Sequence, residues 1–167
     1  MRAPVGMAVI GIGNEFRRDD GVGWAVVALL RDRAAVRPLP PGTALHECDG
    51  DPGRLIRLWE NTSLTIIIDA CFPASAHPGR THRWCPAPDA SLRPAASGRH
   101  STHGLGLVET LHLAHSLGRH PDRLVVYAVE GADHSLGTGL TPSLAEAVQP
   151  LAERIEEDVA WHGLATE

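Results

Sequence analysis

No pair among Cys48, Cys71 and Cys85, the only cysteines of this 167-residue chain, has CxxC spacing. That excludes a zinc ribbon and a redox dithiol of that pattern. An odd, widely spaced set in a chain this long fits a reducing cytoplasm better than a disulfide scaffold. No apolar run approaches membrane-spanning length. Met1-Arg2-Ala3-Pro4 leads directly into a predicted strand, without the longer apolar region of a signal peptide. The expected location is therefore the cytoplasm, with no membrane partner. Basic charge is also short: 15 Lys and Arg stand against 20 Asp and Glu, a net charge of −5. With no basic stripe carrying interleaved aromatics, nucleic acid is not an expected partner. Gly-x-Ser-x-Gly, His-Glu-x-x-His and EF-hand patterns are absent. No internal repeat or compositional break divides the chain, so the expectation is one domain over residues 1–167, acting as a monomer.

What is present reads as an alternating α/β chain. At 43% hydrophobic and 21% charged, it is close to the globular average. Met7 to Gly11 is a predicted strand, followed by a helix from Asp20 to about Arg33 with Val22, Val26, Leu29 and Leu30 on one side. Thr43 to Cys48 is a second strand. Asp51-Pro52 supplies a cap and a first-turn proline for a helix to about Trp59. Leu64 to Ile68 is so uniformly β-branched that burial on both faces is expected, as in a parallel sheet, with Asp69 at its end. Residues 72–100 are rich in Pro, Ala, Ser, Gly, Arg and His, with one edge strand, Arg80 to Cys85; loops this long are usually functional or mobile. A helix is expected from about His103 to Leu117, stopped by Gly118. A strand follows from Leu124 to Val129, and a last helix from Pro142 to Ala160. This order predicts a single-domain three-layer αβα fold with a mostly parallel twisted sheet flanked by helices. Ligands in such folds bind beyond the carboxyl ends of the strands, where Asn14, Asp20, Asp49, Asp69 and Glu130 form an acidic rim.

The first loop, Gly11-Ile12-Gly13-Asn14-Glu15-Phe16-Arg17-Arg18-Asp19-Asp20-Gly21-Val22-Gly23, carries most of the information. Gly11-Ile12-Gly13 begins a dinucleotide fingerprint, and Glu47 or Asp49 stands where a ribose-binding acid would. Phe16 occupies the third glycine's place, however, and Asp19 and Asp20 would repel a pyrophosphate at the helix start. A cation or a partner's polar groups suits the loop better. Helix capping also explains one carboxylate there, at about 0.3–1 kcal/mol through the dipole. Asp19 is assigned that task, and Asp20 stays open between capping and function. Gly21 and Gly23 each cost about 1 kcal/mol of helix propensity relative to Ala, which points to something approaching the backbone closely.

Asp69 is either a solvated strand end or a carboxylate held rigidly as a ligand or base. His103 falls in the first helical turn after Ser101 or Thr102, where the dipole favours the neutral imidazole that a metal site requires. Alternatively it is one surface histidine among ten; His82 and His134, with the rest, have no comparable context in the sequence. Asp20, Asp69 and His103 would together supply an O, O, N set with open positions, suited to nickel, zinc or manganese more than to closed structural zinc.

These motifs resemble those of the hydrogenase maturation endopeptidases. Gly-Ile-Gly-Asn-x-x-x-x-Asp-Asp-Gly-Val-Gly, Ile-Ile-Ile-Asp-Ala, Ser-Thr-His-Gly-Leu-Gly-Leu, Leu-Val-Val-Tyr-Ala-Val-Glu-Gly and Gly-Leu-Thr-Pro occur in order from Val9 to the last helix. The resemblance implies an endopeptidase that removes the C-terminal extension of a nickel–iron hydrogenase large-subunit precursor after nickel insertion. By motif position it places the metal contacts on Asp20, Asp69 and His103, with Asp20 a shorter acid than the glutamate also found there. Asp49 is carried over as a catalytic or substrate-positioning acid. The nickel would come with the substrate, and no nucleotide would be needed. Two other functions fit the same residues: a non-catalytic nickel-sensing maturation chaperone and a nucleotide-dependent oxidoreductase.

Overall fold

In the computed structural model, which describes residues 6–86 and 106–165, five strands and four helices form the expected three layers. The strands are β1 (Met7–Ile12), β2 (Thr43–Cys48), β3 (Leu64–Cys71), β4 (Thr81–Trp84) and β5 (Leu124–Glu130). The helices are α1 (Val22–Val36), α2 (Pro52–Trp59), α3 (Leu107–Ser116) and α4 (Pro142–Ala165). The sheet order is β2-β1-β3-β5-β4, parallel except for β4, which pairs antiparallel with β5 at the edge.

Every residue of β1, β3 and β5 is buried, as continuous apolar strands covered on both faces require. Val9, Ile66, Ile68, Val125 and Tyr127 pack with Val26 and Leu30 of α1 and Leu151 and Ile155 of α4. Ile10, Ile67 and Val126, on the opposite face, pack with Trp59 of α2 and Leu111 and Ala114 of α3.

Local chemistry accounts for the ends. The Asp51 carboxylate accepts the Arg54 amide at 2.8 Å and caps α2, with Pro52 in its first turn. Gly118, at φ +66°, donates its amide to the His115 carbonyl and stops α3 in the left-handed conformation that favours glycine.

Several boundaries differ from expectation: α4 runs on to Ala165, α1 to Val36, and the edge strand is shorter, Thr81–Trp84. Arg18–Gly21 is a 3-10 turn, and α1 begins at Val22 rather than Asp20. β3 continues through Asp69 to Cys71 because Ala70 and Cys71 still pair, with Val129 and Glu130; Asp69 sits inside the ladder opposite Ala128. β5 likewise includes Glu130. The third helix begins at Leu107, with Gly106 in an extended conformation as its N-cap, rather than at about His103; residues 103–105 lie outside the described residues.

The two glycine pairs of the first loop pack against the protein itself. A Cβ on Gly11 would meet the Gly23 carbonyl oxygen at 2.4 Å, and one on Gly13 the Asp20 carbonyl oxygen at 2.1 Å. On Gly23 it would meet the Ile68 and Ile12 carbonyl oxygens at 2.6 and 2.8 Å, and on Gly21 the Glu15 Cα at 3.1 Å. The close approach read from these glycines is therefore that of α1 onto β1 and β3.

Candidate active site

From β1 the chain passes through α1 to β2 on one side, whereas from β3 it leads the other way, past β5 to β4. The carboxyl ends of these two neighbouring strands are thus a topological switch point, where a crevice opens. The 3-10 turn carrying Asp20 packs against β3 there. The turn is built by its own amides: Phe16 donates to Asn14 Oδ1 at 2.9 Å, and Asp20 donates to the Arg17 carbonyl at 3.1 Å. The Cys48 carbonyl at the end of β2 accepts from the Gly13 amide at 3.0 Å and from Trp24 Nε1 at 3.1 Å. That double acceptance fixes the first loop, α1 and the end of β2 together, and with them Asp20 and Asp49.

Between these loops lies a cavity of about 610 Å³ lined by Gly13, Asn14, Glu15, Phe16, Arg17, Asp20, Trp24, Asp49 and His134. Asp20 is only 1% exposed, a carboxylate set into the cavity wall. Asp49 lies just past β2, as expected, and is exposed. Its Oδ1 accepts the Asp51 amide at 3.1 Å, which orients the carboxylate. Beside it, burial pushes the Cys48 thiol up, so this sulfur is held as a thiol rather than a thiolate nucleophile.

Asp69 is 8% exposed, on the α2/α3 face of the sheet with Ile67, and is not among the residues lining the cavity. His103 lies outside the described residues. Among the described residues, no group of three or more His, Cys, Asp or Glu stands close enough to hold a metal ion. Asp20 and Asp49 are thus placed in one cavity, Asp69 in the neighbouring strand.

Two residues were placed differently. Asp19 does not cap its own helix. It is fully buried, and its carboxylate accepts the amides of Ala132 and Asp133, at 2.9 and 3.0 Å, and of Thr141, at 2.7 Å. The Thr141 hydroxyl adds 2.9 and 2.8 Å contacts to its two oxygens. Glu130, read as part of the acidic rim, is engaged by His82 Nε2 at 2.9 Å, Arg80 Nε at 3.6 Å and the His77 amide at 3.3 Å. Burial pushes the Glu130 carboxyl up, but His82, the His77 amide and the Arg80 charge outweigh it and hold the group below the usual carboxylate range.

His134, which nothing in its sequence context distinguished, lines the cavity with Asp20 and Asp49. Its ring packs on Phe72 with centroids 4.4 Å apart, and its carbonyl accepts from Arg17 at 3.4 Å. A histidine on a glycine-containing loop just past a buried parallel strand was the available signal.

The hydrogenase maturation protease family model matches residues 49–158 of this chain. The hydrogenase 2 maturation protease of Escherichia coli K12 is 27% identical over 151 residues, covering 88% of this chain and 86% of that protein. Solved structures of the hydrogenase maturating endopeptidase HybD from E. coli and of a NiFe hydrogenase maturation protease HybD from Thermococcus kodakarensis share the fold. Their TM-scores are 0.72 and 0.73, each at 22% identity, covering 90% and 92% of this chain and 89% and 99% of theirs. With the family match spanning well over half of its length, the chain belongs to the hydrogenase maturation protease family and is a peptidase.

Proposed function

We propose that this protein removes the C-terminal extension of a nickel–iron hydrogenase large-subunit precursor, and that it does so after nickel insertion, reading the client's nickel through Asp20, Asp69 and His103. The observation that carries the reading is Asp20, a buried carboxylate in the wall of a cavity that it shares with Asp49 at the switch point, next to the strand bearing Asp69. Nickel is cargo of the substrate here. Two carboxylates and an imidazole suit it as partial ligands with open positions.

Hydrolysis needs a water to attack the scissile carbonyl, a base to take its proton and a positive group to stabilise the oxyanion. Asp49, exposed and held by the Asp51 amide, is the carboxylate placed to take that proton. A nickel held against Asp20 would license the cut and polarise the carbonyl. The protein acts as a cytoplasmic monomer in this reading. No disulfide pairs its three cysteines, and no described helix is long and apolar enough to cross a membrane.

The oxidoreductase alternative is disfavoured by the glycines. The space beside Gly11 and Gly13, which a pyrophosphate would use, is taken by the carbonyls of Gly23 and Asp20. A nickel-sensing chaperone would use the same three ligands without cutting. The deciding experiment incubates purified precursor, nickel-loaded and nickel-free, with the protein and with its Asp20→Asn variant, and reads precursor mass. The expected result is a mass loss only for nickel-loaded precursor with unaltered protein. Equal processing of both precursors would overturn the nickel-reading role, and unchanged mass throughout would favour the chaperone.

A further inference from the structure

We infer that Asp19 is a positioning residue of this active site: by closing the neck of the 131–141 loop it holds His134 in the cavity wall, where the imidazole contacts the client chain. The inference rests on the proteolytic reading above.

Both ends of the loop meet on one carboxylate. Ala132 and Asp133, where the chain leaves β5, donate to Asp19 Oδ2; the Thr141 amide, where the chain enters α4, donates to Oδ1, and the Thr141 hydroxyl bridges the two oxygens. Hydrogen bonds to an ionised acceptor are roughly twice as strong as neutral ones. All of them converge on a fully buried carboxylate, which is costly to leave unpaired. The loop is tied to the same turn by further bonds: Asp19 donates its amide to the Asp133 carbonyl at 2.9 Å, Arg18 to the Gly137 carbonyl at 3.0 Å, and Gly137 to the Phe16 carbonyl at 2.9 Å, while the Arg17 guanidinium donates to the His134 carbonyl at 3.4 Å and Arg18 Nε pairs with Asp133 at 3.6 Å.

Glycine suits position 137 because its φ is +146°, a backbone conformation that other residues rarely adopt. The loop and the Asp20 turn therefore behave as one body, and the side chain this body presents to the cavity from the loop is His134. Phe72 supports the ring from behind. The consecutive acids thus divide the work, Asp19 holding the scaffold and Asp20 facing the cavity.

Asparagine in place of Asp19 keeps the shape but turns one acceptor oxygen into a donor facing donors. The test compares Asp19→Asn, His134→Ala and the double variant in the full-length protein. It measures kcat and KM on nickel-loaded precursor and amide exchange at Ala132, Asp133 and Thr141. Asp19→Asn is expected to speed exchange at these amides roughly tenfold or more while the global melt persists. His134→Ala is expected to raise KM more than it lowers kcat, and the double variant to be no worse than His134→Ala with respect to KM.

Additive KM losses, or unchanged exchange in Asp19→Asn, would overturn the inference. So would non-additivity with Asp20→Asn in place of His134→Ala. Should Asp19→Asn fail to fold, Thr141→Val, which removes the bridging hydroxyl alone, must show the same non-additivity with His134→Ala. An unaltered protein that cuts no precursor would overturn the proteolytic reading and the client contact of His134 with it, while exchange still decides the latch.

Discussion

Adjacent carboxylates in one short loop meet opposite surroundings. Asp19 is enclosed by amide donors, whereas Asp20 forms part of a cavity wall. Asn in place of Asp20 preserves volume while removing the charge. Precursor cleavage should fall roughly a hundredfold or more, the scale seen when an electrostatic contact of a reacting centre is removed; a time course of precursor mass checks it. Glu130 gives a prediction of a different kind. Its folded value is held below the ordinary 4.5, so its contribution to stability is fully present above that pH and is lost as pH falls through the lower folded value. Thermal melts stepped downward from pH 4.5 should show a shallower loss of stability for Glu130→Gln than for the unaltered protein. An identical slope would show that the His82 contact does not matter to folding. Asp20 and Asp49 were legible in the sequence as acids following predicted strands. That Asp19 would turn inward was not, because its partners stand more than a hundred positions away, at Ala132 to Thr141. The partners of Glu130 are distant too: His82 comes from the edge strand and His77 and Arg80 from the loop before it.

Helices and strands meet most closely at Gly11 and Gly23, where α1 lies on β1 and β3 with backbone against backbone. Gly23→Ala would place a methyl within 2.6 Å of the Ile68 carbonyl oxygen and 2.8 Å of that of Ile12. Neither belongs to a flexible side chain, so the helix must shift. Overpacking of this kind costs about 1–3 kcal/mol, partly offset by the better helix propensity of alanine. Chemical denaturation should show the loss. Cleavage should fall further than stability alone explains, because the displaced helix carries the Asp20 turn with it. A variant of full stability and full activity would mean that the contact is looser than its geometry. Periodicity revealed these elements well: the two-sided apolar strands, the Asp51-Pro52 start of α2 and the Gly118 stop of α3 are local signals with local causes. The additional residues of β3 and β5 were hidden because Asp69 and Glu130 resemble strand ends until the pairing of Ala70 and Cys71 with Val129 and Glu130 is known.

Across the whole molecule, the order β2-β1-β3-β5-β4 decides which loops can cooperate. Alternating strands and helices announced a parallel sheet but not this order, which depends on how the buried faces are shared between the α1/α4 and α2/α3 layers. The order sets β1 between β2 and β3, so the Asp20 turn is flanked by Asp49 on one side and the Asp69 strand on the other. The loop after β5 then reaches across to the same turn. Under the proposed function these carboxylates meet a cation that arrives with the client. The described residues alone offer no three-ligand group to retain one. Under the proposed function, then, the source of the metal can be tested by stripping each partner separately. Treating the peptidase with a strong chelator and removing the chelator before mixing should leave cleavage of nickel-loaded precursor unchanged. Stripping the precursor should abolish it, and free nickel added to the peptidase alone should not restore it. The reverse pattern, with cleavage lost when only the peptidase is stripped, would make the metal a resident cofactor. Asp20→Asn separates the cases again. With client-borne nickel the variant should bind loaded precursor more weakly but stripped precursor as the unaltered protein does, because the lost contact is to the metal and not to the chain.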